Sequence, residues 1–276
     1  MTEQEYDISG ALTFWALRPT PYQALLEALE AEGYGECMPN VRTDQSALEN
    51  AIKASYGMKN RAVVSRKQPK RNGVELVDIE RNPDRNYYTT SFGARVVNGA
   101  VKADFGYADE CRLTEEFLKF KAVLTTTAVS QALTAVLARM DGMKGFNKPG
   151  VHYVPEHWLK AWKRLASAVE GCQEGNEITT VRAAMDDGTA RAIRDALTRE
   201  VQEEAARLLD DVSKGTLNDG QLQARAAQSQ ALVDRVELYA SILKEGLEGL
   251  KAVAQLAHGA AAAAAMQDFA AAGIGV

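Results

Sequence analysis

Hydrophobic positions change their period once along the chain. Up to about residue 187, alternating or β-branched runs interleave with short helical patterns; beyond it, apolar residues recur every three or four positions. ALTFWAL (11–17) fits a strand closed by RPTP. Tyr22 to Glu32 fits a helix, with Leu25, Leu26 and Leu29 on one face and Gly33 past its end. Ser46 and Glu49 form a capping-box pattern that opens a second helix, to about Ser55. Four β-rich runs follow: RAVVSRK, GVELVDIER, NYYTTSFGARVV and AVKADFGYA. The turn signals between them are Lys70-Arg71-Asn72-Gly73, Asn82-Pro83-Asp84 and Asn98-Gly99. Asn and Gly accept positive φ, so these runs predict an antiparallel meander of three or four strands. Thr114, with Glu115 and Glu116 in the first turn, predicts one long helix to about Met140. GVHYVP fits a short strand, Pro155 the start of a helix carrying Trp158 and Trp162, and NEITTVRAAMD another strand. Strands and helices in this order predict an α+β fold rather than a doubly wound sheet.

From Thr189 the pattern is helical, with Ile193, Leu197, Val201, Ala205, Leu208 and Val212 on one face. SKGTLNDGQ interrupts it, and Asn218 with Gln221 matches an N-cap and its N3 glutamine. Two interleaved seven-residue series then run on: Leu222, Ser229, Val236, Leu243, Leu250, Ala257, and Ala226, Val233, Ala240, Leu247, Ala254, Ala261. Five heptads predict a coiled-coil hairpin. A single helix over 222–267 would span roughly 70 Å, about twice the helix 189–213, leaving roughly six turns without an intrachain partner. Such an overhang must meet another chain, fold back or fray. The expectation is self-association through Val236, Leu243, Leu247, Leu250 and Val253. The domains expected are a head over 1–187, a helical hairpin over 188–268 and a tail over 269–276.

Aromatic residues refine this division. All three tryptophans precede residue 165, and only Tyr239 and Phe269 are aromatic after it, which places the bulkiest core early in the chain. Hydrophobic content of 46% and charged content of 25% are those of a soluble globular protein. Cys37, Cys111 and Cys172 lie far apart without a C-x-x-C pair, as expected of reduced thiols in a cytoplasm. The N-terminus is acidic and has no basic n-region, so no signal peptide is expected. The longest uncharged run, Ala122 to Ala138, is too short and too rich in Thr to predict a membrane span.

The net charge is −5, yet from Lys53 to Arg71 there are seven Lys or Arg and no Asp or Glu. Arg61, Arg66, Lys67, Lys70 and Arg71 are the candidate binding residues, facing a single-stranded nucleic acid or an acidic protein surface. Tyr87, Tyr88, Phe92, Phe105 and Tyr107 share the meander with these and with Arg81, Arg85 and Arg95. Aromatic residues interleaved with cations on a sheet can hold single strands. The simpler arrangement buries the aromatics, turns the arginines to water, and uses lysines to block an edge.

Little else points to chemistry. His152 and His157 are five apart with Pro155 between them, which breaks the helix that an H-E-x-x-H site needs. Cys37 sits in the glycine-rich GYGECMPN without a histidine in a known role. Asp186-Asp187-Gly188-Thr189 suits a helix start better than a cation site. No G-x-S-x-G, Walker A loop or G-x-G-x-x-G is present, so no cofactor, metal or catalytic residue is expected.

GVHYVPEHW, EITTVRAAMDD and the long helical hairpin together resemble an uncharacterised family of bacterial and phage proteins, a domain of unknown function often carried on mobile elements. The resemblance implies a phage or plasmid context and brings no catalytic residues. The function expected is a non-enzymatic oligomerising or partner-docking protein whose head contacts nucleic acid or an acidic surface. The alternative is a carboxylate- or metal-dependent nuclease or hydrolase.

Overall fold

The computed structural model describes residues 8–66, 73–81, 86–106, 108–144 and 150–272. Among the described residues, strands β1 (Ile8–Ala16), β2 (Thr20–Pro21), β3 (Arg61–Arg66), β4 (Gly73–Arg81), β5 (Asn86–Val97), β6 (Ala100–Gly106), β7 (Val123–Leu124), β8 (His152–Pro155) and β9 (Glu177–Ala184) alternate irregularly with eight α-helices. These are α1 (Tyr22–Ala31), α2 (Asp44–Tyr56), α3 (Glu110–Ala122), α4 (Thr126–Arg139), α5 (Glu156–Gly171), α6 (Asp187–Ser213), α7 (Asp219–Leu243) and α8 (Glu248–Ala272). The strands form three sheets, ordered β8-β1-β9, β2-β7 and β3-β4-β5-β6. The fold is α+β. Packing divides the chain into two compact units, each discontinuous in sequence: 1–15 with 137–163 and 179–276, and 16–136 with 164–178.

In the first unit, β1 pairs antiparallel with β8, Gly10 opposite Pro155 and Thr13 opposite His152. Gly10 is required there, because a Cβ would lie 2.2 Å from the Val154 carbonyl oxygen. Trp162 Nε1 lies 3.2 Å from the hydroxyls of both Thr13 and Thr180, and Thr13 Oγ1 donates to the Thr179 carbonyl at 3.0 Å. These bonds satisfy polar groups that burial would otherwise penalise.

The helical half of this unit departs from the expected hairpin. α7 ends at Leu243 and α8 begins at Glu248, so the single 222–267 helix does not form. Lys244 adopts the left-handed conformation (φ 53°). Its N–H reaches the Ser241 carbonyl, and the Glu245 N–H reaches that of Ala240, the paired bonds of a Schellman stop. α8 then packs with α6 and α7 in one core: Ile193, Leu197 and Val201, Val233, Val236 and Tyr239, and Leu247, Ala254 and Ala257. The overhang has folded back within the chain. The alanines of the seam admit close helix approach, and Ser229 on it donates to the Ala226 carbonyl with His258 Nδ1 at 3.1 Å. The start of α7 is the expected capping box, Asn218 with Gln221.

The same unit holds residues 141–143, Met143 by a bridge to Tyr153. Tyr239 Oη donates to the Asp141 carbonyl at 2.6 Å, and Trp158 Nε1 to Asp141 Oδ2 at 3.2 Å. Arg235 donates to the Gly142 carbonyl and forms an ion pair with Glu200 at 2.7 Å. Burial raises the Tyr239 phenol well above its ordinary pKa, so it stays a neutral donor.

In the second unit, α2 and α3 cover one face of the four-stranded sheet. Leu48 and Ile52 of α2, Leu113 and Phe117 of α3, and Val74, Leu76, Phe92, Ala94 and Val101 of the sheet form its core. α2 starts at Asp44, with Thr43 as N-cap accepting from the Ser46 N–H, so the expected cap at Ser46 is one turn late. The long helix expected from Thr114 is two helices. α3 starts at Glu110 on an Asp109 cap, and α4 follows after β7. The break at β7 comes from pairing with β2, Thr20 opposite Leu124. Buried Asn176 accepts from the Arg18 N–H and donates to Thr20 Oγ1 and the Val169 carbonyl.

Candidate docking site

The four-stranded sheet is the meander expected from the sequence, β3-β4-β5-β6 in antiparallel order. Its side chains alternate between a helix-covered face and a bare one. Val63 and Phe92 point to the helices. Val64 must then point away, as must Phe105, opposite Gly93, and Tyr88, opposite Ile79 beyond the bulge at Leu76/Val77. Val64, Tyr88 and Phe105 are 48%, 66% and 42% exposed. Of the aromatic residues expected here, Phe92 is core, Tyr87, Tyr88 and Phe105 are at the surface, and Tyr107 lies outside the described residues.

Most described cations of this sheet are already paired. Arg61 Nε meets Asp78 Oδ1 at 2.7 Å and its guanidinium donates to the Tyr56 carbonyl; Arg95 pairs with Asp104 at 2.7 Å, and Lys102 with Glu110 at 3.0 Å. The Ser91 hydroxyl, then Arg61, hold Asp78 below its ordinary pKa. The Ala103 N–H, then Lys102, do the same for Glu110. Arg66 ends β3, and Lys67, Lys70 and Arg71 lie outside the described residues. Tyr88 pairs with Ile79, six positions along β4 from Gly73, so it stands roughly 20 Å from the end of β3 that carries Arg66. Phe105 lies in register with Val64, through Glu75 and Gly93, nearer the Arg66 end, whereas Arg61, opposite Asp78, lies at the Tyr88 end. A cleft of about 260 Å³ opens between the first turn of α2, at Asp44, Gln45 and Leu48, and the sheet at Gly73 and Arg95.

The two edges of the sheet differ. On β6, the Val101 N–H donates to Thr114 Oγ1 at 3.0 Å and the Ala103 N–H to Glu110 Oε1 at 2.8 Å, so α3 closes that edge. On β3, the Ile79 N–H reaches the Asn60 carbonyl. Hydrogen-bonded pairs alternate in an antiparallel ladder, so residues 60, 62, 64 and 66 face β4 and 61, 63 and 65 face outward. Among the described residues nothing pairs with the outward backbone groups of Val63 and Ser65.

The remaining candidates separate. Val236 and Leu247 are buried in the three-helix core, and Leu243, Leu250 and Val253 pack against it, so all five expected seam residues serve an intrachain core. His152 is buried on β8, stacked on Trp15 at 4.3 Å, whereas His157 is exposed on α5 beside Trp158. Asp186 caps α6, accepting from the Thr189 N–H. No disulfide joins the cysteines; Cys111 is exposed, and Cys37 and Cys172 are half-buried. Among the described residues no three His, Cys, Asp or Glu gather as metal ligands, and no helix is long and apolar enough to cross a membrane.

Val64 and the bare β3 edge are what sequence reasoning missed. The signal was Val63-Val64 in a strand beside a terminal turn, where two adjacent apolar residues must face opposite sides. No curated protein and no solved structure matches the chain. The chain belongs to a family of unknown function (DUF6744), whose model matches residues 13–271.

Proposed function

We propose that the protein is a non-enzymatic docking module that presents the helix-free face of its four-stranded sheet to a partner protein. The supporting observation is the exposure of Val64, Tyr88 and Phe105 on that face. Exposed apolar side chains grouped on one face mark interaction sites more often than single ones do. The ion pairs Arg61–Asp78 and Arg95–Asp104 leave few unpaired cations around them, which favours protein over a phosphate backbone. The five seam residues of α7, α8 and the turn between them have no part in this reading, because they pack against one core within the chain.

The test is isolation of tagged protein from its native cell, with and without nuclease, as wild type and as the triple variant Val64→Ser, Tyr88→Ser, Phe105→Ser. A nuclease-resistant protein partner, recovered with wild type and lost with a variant of unchanged melting temperature, is the expected result. Recovery of nothing, or equal recovery by both, overturns the proposal. A nuclease-sensitive partner would favour the basic stretch and single-stranded nucleic acid instead.

A further inference from the structure

We infer that β3 is an acceptor edge for an acidic, extended segment of the partner, which would join the sheet as a fifth strand. This rests on the docking reading and names the chemistry of what docks. A sheet edge with unpaired N–H and C=O groups is a template for another strand, and proteins normally blunt it. Here the blunting is one-sided: Thr114 and Glu110 take the outward N–H groups of β6, while those of Val63 and Ser65 on β3 have no partner among the described residues. Main-chain bonds to such an edge supply affinity, and side chains on alternate faces supply selectivity. Val64, on the bare face and beside the edge, would meet every second side chain of the incoming strand.

Charge decides what that strand is. β3 lies inside the run 53–71 that contains no carboxylate, and Lys53 and Lys59 are exposed with no ion-pair partner among the described residues. A second copy pairing antiparallel along β3 through its outward residues 61, 63 and 65 would lay two basic runs without carboxylates side by side, and neighbouring like charges repel. The same edge attracts a segment rich in Asp and Glu.

Proline isolates the backbone contribution. The Ser65 N–H points away from β4, so Ser65→Pro removes an edge donor without breaking the β3–β4 ladder, as edge strands permit. Ser65→Ala controls for the hydroxyl, which donates to Glu49 Oε1 at 2.5 Å. The probe is a displayed library of random peptides of about twelve residues, selected on full-length wild type and compared on both variants. Peptides with net negative charge and alternating β-branched residues are expected, binding wild type and Ser65→Ala alike and Ser65→Pro about tenfold more weakly, a loss of roughly 1.4 kcal/mol. No enrichment, enrichment of peptides without net negative charge, or equal binding to Ser65→Pro of unchanged melting temperature overturns the inference. If the native partner is recovered equally by wild type and Ser65→Pro, docking stands and strand addition fails. If no partner is recovered at all, the docking reading fails first.

Discussion

His152 should make the protein lose stability on mild acidification, well before its carboxylates do. The ring is 7% exposed, lies within 8° of parallel to Trp15 at 4.3 Å, and its Nδ1 has no hydrogen-bond partner. Burial alone pushes its pKa down from 6.5 to about 4, because the charged imidazolium would lose its hydration. The folded state therefore holds the neutral ring, while the unfolded chain takes up a proton below about pH 6.5. The contribution is complete above that pH and is lost as pH falls through the interval to about 4. At about 1.4 kcal/mol per pH unit the full interval is worth roughly 3 kcal/mol, and the part lost between pH 7.5 and 5 roughly 2 kcal/mol. Asp78 and Glu110 have lowered values, so their contributions fade only below the ordinary carboxylate range. His152→Phe keeps an aromatic ring against Trp15 and removes both the titration and the unpartnered nitrogen. Urea denaturation followed by tryptophan fluorescence at pH 7.5, 6 and 5 should show wild type losing about 2 kcal/mol and the variant little. Parallel losses in the two proteins would refute the argument. A penalty above about 2 kcal/mol for the variant at pH 7.5 would show that Nδ1 is held by a partner after all.

Lys244→Gly should stabilise the protein by about 0.5–1 kcal/mol in thermal or urea denaturation, because glycine occupies the left-handed stop between α7 and α8 without a Cβ penalty. Ala254→Leu should destabilise it by roughly 1–3 kcal/mol in the same assay, since Ala254 is fully buried in the core shared with α6 and α7. No loss there would contradict the fold-back of α8. Arg235→Met should cost roughly 3 kcal/mol by leaving Glu200 and the Gly142 carbonyl without their donor. Arg235→Met with Glu200→Gln should recover part of that, measured as a double-mutant cycle.

What was legible in the sequence was whatever local chemistry dictates. The meander could be placed because Asn98-Gly99 must turn and because RAVVSR and GVELVDIER are bounded by turn residues. The cap at Asn218 was visible for the same reason: an N-cap and its N3 partner are only three residues apart. The misses were decided by distant partners. Val123-Leu124 sits in a helix-compatible run, and only pairing with Thr20-Pro21 turns it into a strand. Thr114 has the sequence of a helix cap, yet its hydroxyl serves the edge of β6. The seven-residue series runs across the α7–α8 break unaltered, because hydrophobic spacing records which residues are buried and not the direction of the helix that buries them. Leu243 before the stop and Leu250 after it pack against one core. The one local sign of the reversal is Gly246, two residues past the left-handed Lys244, and a single glycine weighs little against five heptads.

The basic stretch that singled out this sheet does two different things, and Arg61 shows the division. Its guanidinium is committed to Asp78 across the ladder and to the Tyr56 carbonyl at the end of α2. A cation so held fastens the start of β3 to the helix beneath it. It has little left to offer a ligand, and removing it would loosen the strand before it weakened any binding. Lys59, two residues earlier, is exposed without such a partner among the described residues. An edge blunted only against aggregation needs a charge whose exact place matters little. Here one charge ties the strand to the helix beneath it, and another lies in solvent near an edge whose outward backbone groups have no partner among the described residues. A strand held in this way is already ordered, so an incoming segment would bear mainly its own ordering entropy, and pre-organisation of this kind is what raises affinity for a given set of contacts.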